Sequence, residues 1–281
     1  MTPYTLSDAE IEALLLDDSP CGDATTWGLG IGELPGRLVF RARHAQIACC
    51  TEEAVRMGAL RGLRLAGEFV PTGTAVEAGE LLFALDGRAA DLHVVWKPAQ
   101  TLMEYAAGIA SMTAELVAAA RRGHPEIAVA CTRKQMPGAK RMSLKAILAG
   151  GAVPHRLGLS ETLLVFAEHR AFLRGESPER VISRLHQRWP ERQVVVEVAS
   201  EVEAADWIAA GADVIQLEKC APETVAKVVR SVAGRGVKIA AAGGVNLANA
   251  EAYARAGAHF LVSSAPYNAT PRDVEVSLEA V

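Results

Sequence analysis

Val194-Val195-Val196-Glu197-Val198, Val214-Ile215-Gln216-Leu217, Val237-Lys238-Ile239-Ala240-Ala241-Ala242 and His259-Phe260-Leu261-Val262-Ser263 are four short apolar runs late in the chain. They recur at roughly twenty-residue intervals, the length of one strand-plus-helix unit. The intervening stretches 201–210, 222–233 and 247–256 carry helical patterns. Runs that are apolar throughout, rather than alternating, suit strands covered on both faces in a parallel sheet. Two earlier runs, Ile127–Cys131 and Leu163–Phe166, and a helix over 178–188 extend the series upstream. This part reads as a parallel βα-barrel of about six strands.

Upstream the texture differs. Leu6, Ile11, Leu14 and Leu15 recur at helical spacing behind Ser7, with Glu10 three residues on, which predicts a capped helix over 5–16. Ser19–Thr26 is a loop, and residues 37–50 and 68–96 read as strands punctuated by Pro71-Thr72-Gly73 and Glu77-Ala78-Gly79-Glu80. Lys97-Pro98 is expected to open a long helix that ends at Arg121-Arg122-Gly123. The expected organisation is an N-terminal α+β domain over 1–105 and a barrel domain over 106–266.

Composition narrows the class. Of 281 residues 50% are hydrophobic and 22% charged, the net charge is −4, and aromatics make up 5%. That excludes general disorder and supports a sizeable core. Five cysteines without C-x-x-C spacing argue against a disulfide framework or zinc ribbon. The acidic stretch Met1–Asp18 lacks the basic start of a signal peptide. No apolar run approaches the ~18 residues of a membrane span. A cytoplasmic protein is expected.

In a parallel barrel the chemistry gathers where strands end. Those ends carry Thr132-Arg133-Lys134, Glu197, Glu218-Lys219, Gly243-Gly244 and Ser263-Ser264. The segment Ile127–Ser160 holds Arg133, Lys134, Lys140, Arg141, Lys145, His155 and Arg156 without one Asp or Glu. Such a cation field inside an acidic chain fits an anionic substrate, with a solvated helix face suiting Arg141 and Lys145. Nucleic acid fits poorly, because the segment has no aromatic residue for stacking and the isoelectric point is about 6.0. Glycine and serine after late barrel strands can hold a phosphate, which makes Gly243, Gly244, Ser263 and Ser264 candidates. Glu197 and Glu218 end neighbouring strands and could face one cavity. There they suit Mg²⁺ held through a diphosphate, directly or indirectly, or the hydroxyls and developing positive charge of a ribosyl group. Cys131 reads as a buried thiol.

Several motifs together resemble the quinolinate phosphoribosyltransferase (nicotinate-nucleotide pyrophosphorylase) family. They are Gly22-Asp23-Ala24-Thr25-Thr26, Ala107-Gly108-Ile109-Ala110, Thr132-Arg133-Lys134 with Pro137-Gly138, Gly150-Gly151 leading to His155-Arg156 and Gly158-Leu159, Glu197-Val198, and Gly243-Gly244. Trp96-Lys97, Pro154–Thr162 and Ser264-Ala265-Pro266-Tyr267 resemble its ModD branch. The resemblance implies an α/β fold with an open-faced α+β sandwich before a partial, TIM-like α/β barrel, a tail over 267–281 packing back on the N-terminal domain, and a homodimer. It also implies transfer of ribose 5-phosphate from phosphoribosyl diphosphate, with Mg²⁺, to a pyridine nitrogen; diphosphate leaves, and carbon dioxide too when the acceptor is quinolinate. By motif position Lys97, Arg133, Lys134, Lys140, His155 and Arg156 would bind the carboxylated acceptor and the phosphates. Glu197, Glu218 and Lys134 would be catalytic, and Gly243, Gly244, Ser263 and Ser264 would hold the 5-phosphate. Lys97 stands where the family has an arginine that reaches across the dimer.

The sequence also departs from that pattern. Phe166 replaces a lysine, Glu218-Lys219 an Asp-Asn pair, Ala242 a serine and Ser143 a glutamate. Fewer cations, and Lys97 without the planar fork of arginine, point to another acceptor or a less anionic one. Competing readings are a ModD-type enzyme with a different acceptor or a molybdenum-related binding role, and a Schiff-base lyase using Lys134 or Lys219.

Overall fold

The computed structural model describes residues 4–281, which form two compact units. The first comprises the chain up to Ala114, Gln135–Gly151 and Tyr267–Val281. Its helix α1 (Asp8–Asp18) starts with a capping box: the Ser7 hydroxyl accepts from the Glu10 amide and the Glu10 carboxylate accepts from the Ser7 amide. Helix α2 (Ala24–Leu29) is capped by Asp23, which takes the amides of Thr25 and Thr26. Then come β1 (Pro35–Ala42), β2 (Gln46–Ile47), α3 (Thr51–Leu60), β3 (Arg64–Leu65), β4 (Ala75–Val76), β5 (Leu81–Arg88) and the long α4 (Ala89–Gly123).

The larger of this unit's two sheets is antiparallel and four-stranded, and β2 pairs separately with β4. Strand β1 lies between β5 and the last strand of the chain, Val274–Ala280, and β3 borders β5. Phe40 and Phe83 stack at 4.5 Å under α1, α3 and α4. The expected strands over 37–50 and 68–96 are shorter than predicted, and α4 begins at Ala89 rather than at Lys97-Pro98. The reason is packing: Leu92, Val95, Ala99 and Met103 form one buried helical stripe, so Pro98 is carried inside the helix despite its missing N–H.

The second unit holds Glu115–Lys134 and Ala152–Pro266. After α4 the chain runs through β6 (Ala128–Cys131), α5 (Lys140–Ala149), β7 (Val153–Pro154), β8 (Leu163–Val165), α6 (Ala167–Arg170) and α7 (Pro178–Arg188). It continues as β9 (Val194–Val198), α8 (Glu201–Ala209), β10 (Val214–Glu218), α9 (Pro222–Ser231), β11 (Lys238–Ala242), α10 (Ala250–Arg255) and β12 (Phe260–Ser263), before the final β13 (Val274–Ala280). Strands β6 to β12 make one parallel seven-stranded sheet in the order β7-β6-β12-β11-β10-β9-β8. The strand beyond the expected six is β7, two residues long and too short to announce itself by apolarity. Ala130, Leu164, Val195, Val214, Ala240, Ala242 and Val262 pack together on one face, joined by Phe166 and Phe260.

The residues Gln135–Gly151, expected within the barrel domain, belong to the first unit. The fully buried Lys145 of α5 pairs there with Glu52 at 2.8 Å and with the equally buried Glu53 of α3. Among the described residues no helix is long and apolar enough to cross a membrane.

Candidate active site

Strand periodicity fixes which side chains line the mouth of the half-barrel. On β9 Val195 belongs to the interior cluster, so Glu197, two residues on, shares its face; on β10 Val214 does the same for Gln216 and Glu218. The register sets Gln216 beside Glu197 and Glu218 beside Ala242. Gln216 is buried, and its Nε2 donates to Glu197 Oε2 at 2.7 Å. Burial raises the Glu197 pKa most, the Gln216 hydrogen bond opposes it, the charges of Glu218 and Glu168 add to it, and Lys134 pulls the other way. Sequence reasoning passed over Gln216. The available signal was a lone amide inside the apolar run Val214–Leu217, two residues before Glu218.

Gly243 follows β11 with φ +79°, and a Cβ there would sit 2.6 Å from the Glu218 carboxylate. Only glycine serves both the backbone and that close approach. Gly244 has φ +89° and open space beside it, and its carbonyl accepts from Asn246 and Asn249 at 3.0 Å each. Phe260 and Val262 are interior, so Ser263 lies on the opposite face; its buried hydroxyl donates to Val245 O at 2.6 Å and accepts from the Ala265 amide at 3.0 Å. Its hydroxyl is engaged in shaping the loop, so any hold on a phosphate here would come from backbone N–H groups. Ser264, one residue past the strand, is partly exposed.

The cations come from β6 and β7. The Thr132 amide donates to Ser263 O at 3.0 Å and the Lys134 amide to Thr132 Oγ1 at 3.3 Å, which leaves Arg133 and Lys134 exposed on the loop. The His155 amide donates to Cys131 O at 2.8 Å. Burial, then the Arg156 charge, pushes the imidazole down to about 4, so His155 is a neutral hydrogen-bonding group and not the cation its place in the basic run suggested. Cys131 is pushed up to about 12 by burial and is an inert thiol.

Arg156 is 8% exposed. Its guanidinium lies 5.8 Å over the Phe166 ring and reaches the Thr162 carbonyl at 3.4 Å, and no carboxylate among the described residues pairs with it. Burial and the Arg133 charge both lower its pKa, with Glu161 opposing. The structure thus collects Arg133, Lys134, His155, Arg156, Glu197, Glu218, Gly243, Gly244 and Ser264 at the carboxyl ends of parallel strands in one unit.

The other predicted cations are deployed differently. Lys97 and Lys140 lie in the first unit: Lys97 Nζ donates to Gln100 at 3.0 Å and sits 4.5 Å over Trp96, while Lys140 opens α5. Arg141 pairs with Glu10 at 3.3 Å, and Lys145 is no solvated residue but the buried partner of Glu52 and Glu53.

Two family descriptions match the chain: "Quinolinate phosphoribosyl transferase, N-terminal domain" over residues 23–107 and its C-terminal counterpart over residues 109–277. The chain belongs to the quinolinate phosphoribosyl transferase family. Within it, the chain is 46% identical over 259 residues to the ModD protein of Rhodobacter capsulatus, covering 92% of this chain and 99% of that one. It is 30% identical over 279 residues to the "probable nicotinate-nucleotide pyrophosphorylase (carboxylating)" of Synechocystis, covering 96% and 92%. The fold matches the crystal structure of NadC from Streptococcus pyogenes with a TM-score of 0.90 at 23% identity, over 100% of this chain and 99% of that one. At that identity the structural likeness speaks for the fold.

Proposed function

We propose that the chain is a phosphoribosyltransferase that moves ribose 5-phosphate from phosphoribosyl diphosphate to the nitrogen of a small, pyridine-like, carboxylated acceptor and releases diphosphate. Family membership and the nicotinate-nucleotide pyrophosphorylase relatives support the reaction class. The observation that carries it is Arg156, a buried guanidinium that no carboxylate among the described residues pairs with, beside the charge of Arg133 and only partly offset by Glu161. A buried cation left unpaired is costly unless a ligand anion completes it.

In this reading the acceptor nitrogen forms a bond to the anomeric carbon as the bond to diphosphate breaks, the electron pair leaving with the diphosphate oxygen. Glu197 and Glu218 face the ribosyl ring, where positive charge develops. Arg133, Lys134 and Arg156 hold the anionic groups, neutral His155 orients them by hydrogen bonding, and Gly243-Gly244 with Ser264 take the 5-phosphate. Magnesium fits as an ion carried by the diphosphate. Among the described residues no three His, Cys, Asp or Glu side chains gather, while Glu197 and Glu218 supply the one or two carboxylates that such an ion needs beside phosphates. When bound, it neutralises charge on the departing group. A Schiff-base lyase is less suited, because Lys134 and Lys219 are both exposed and lack the desolvation that activates such a lysine. The family resemblance further supports a cytoplasmic homodimer to which Lys97 contributes; light scattering of the purified protein tests the dimer.

Calorimetry with phosphoribosyl diphosphate and Mg²⁺, with and without quinolinate, and measurement of diphosphate release test the reading. Arg156→Met should weaken phosphoribosyl diphosphate by about 100-fold, the loss of a charged hydrogen bond of roughly 2–3 kcal/mol, while the far-UV spectrum stays unchanged. Unaltered binding in that variant, or no binding by the wild type, overturns the proposal.

A further inference from the structure

We infer that Gln216 is a positioning residue for Glu197, the amide that fixes where this carboxylate stands when the phosphoribosyl donor is bound. The inference rests on the reading above and adds to it a residue for which the motif comparison gave no role.

Three observations carry it. First, Gln216 and Glu197 are register partners on adjacent parallel strands, and Gln216 Nε2 meets Glu197 Oε2 at 2.7 Å. Second, no other side chain or backbone amide among the described residues donates to the Glu197 carboxylate. The neighbour of Gln216 on β11 is Ala240, which has no side-chain donor, and Glu218 on the same face is a like charge that repels Glu197. Third, Gln216 Oε1 is buried without a protein partner. A stranded acceptor destabilises the fold, and an apolar side chain in the same space would leave none. The oxygen of the amide thus contributes nothing to stability; what the side chain provides is its N–H, aimed at Glu197.

The binding partner for the test is phosphoribosyl diphosphate with Mg²⁺, titrated calorimetrically into the full-length protein. Gln216→Met keeps the length of the side chain and removes the donor. It should weaken binding about tenfold, as expected for one hydrogen bond to a charged group. In a Glu197→Ala background the same substitution should cost less than about twofold, since a residue that acts through another has nothing left to position. Circular dichroism checks folding, and Gln216→Leu provides the same comparison if the methionine variant is unfolded. Undiminished binding by Gln216→Met, or losses that multiply fully in the double variant, would overturn the role of Gln216 alone. Absence of binding by the wild type would instead remove the phosphoribosyl reading beneath it.

Discussion

Glu218 and Gly243 show how tightly single atoms set this site. The carboxylate of Glu218 occupies the space where a side chain at position 243 would begin, and the backbone there has φ +79°. Gly243→Ala should therefore lose at least about 2 kcal/mol, from combined αL strain and collision, and displace Glu218; chemical denaturation measures the first effect. His155 yields a pH prediction whose sign follows from its depressed pKa. An unfolded imidazole takes its proton near pH 6.5, whereas the folded one waits until about 4. Between those values the unfolded chain binds more protons, so stability is present above pH 6.5 and drains away as pH falls toward 4, by at most about 3 kcal/mol. His155→Gln should flatten that slope, and melting curves from pH 7 to pH 4.5 would show it. At this scale the sequence was partly legible. Arg133, Lys134, Arg156 and the two glutamates stand beside strand ends and could be read there. Gln216 could not, because one amide within an apolar run looks like tolerated noise until the neighbouring strand is in register.

Helix α5 was the hardest element to read. Its Lys145 looked solvent-facing because the partners that bury it, Glu52 and Glu53, lie 93 and 92 residues away in the chain. Nothing local in the sequence announces a pairing across that separation. Lys145→Met should cost about 3–5 kcal/mol, because it leaves Glu53 charged and unpaired in the interior, and adding Glu53→Gln should recover part of the loss. Denaturant midpoints at constant m-value would check both. Helix α4 teaches a related lesson. Pro98 reads locally as a beginning, yet Leu92 and Val95 continue the buried stripe upstream of it, and burial outweighs the missing hydrogen bond. The barrel strands were legible for the opposite reason: an all-apolar run between polar ends is a local signal, and periodicity carries it from unit to unit.

At the scale of the molecule, the phosphoribosyl reading predicts a linkage. Phosphoribosyl diphosphate with Mg²⁺ should raise the melting temperature, by about 2.7 kcal/mol of added stability at a hundredfold excess over Kd. Calorimetric scans at several ligand concentrations would measure it, and Arg156→Met should blunt the rise. A different consequence follows from the sheet of the first unit, where β1 pairs along Gly36–Ala42 with the closing strand β13. Between 232 and 244 residues separate the paired positions along the chain, so during synthesis β1 waits with one flank unzipped until β13 has been made. Whatever shelters that flank meanwhile guards an open strand edge that would otherwise invite wrong partners.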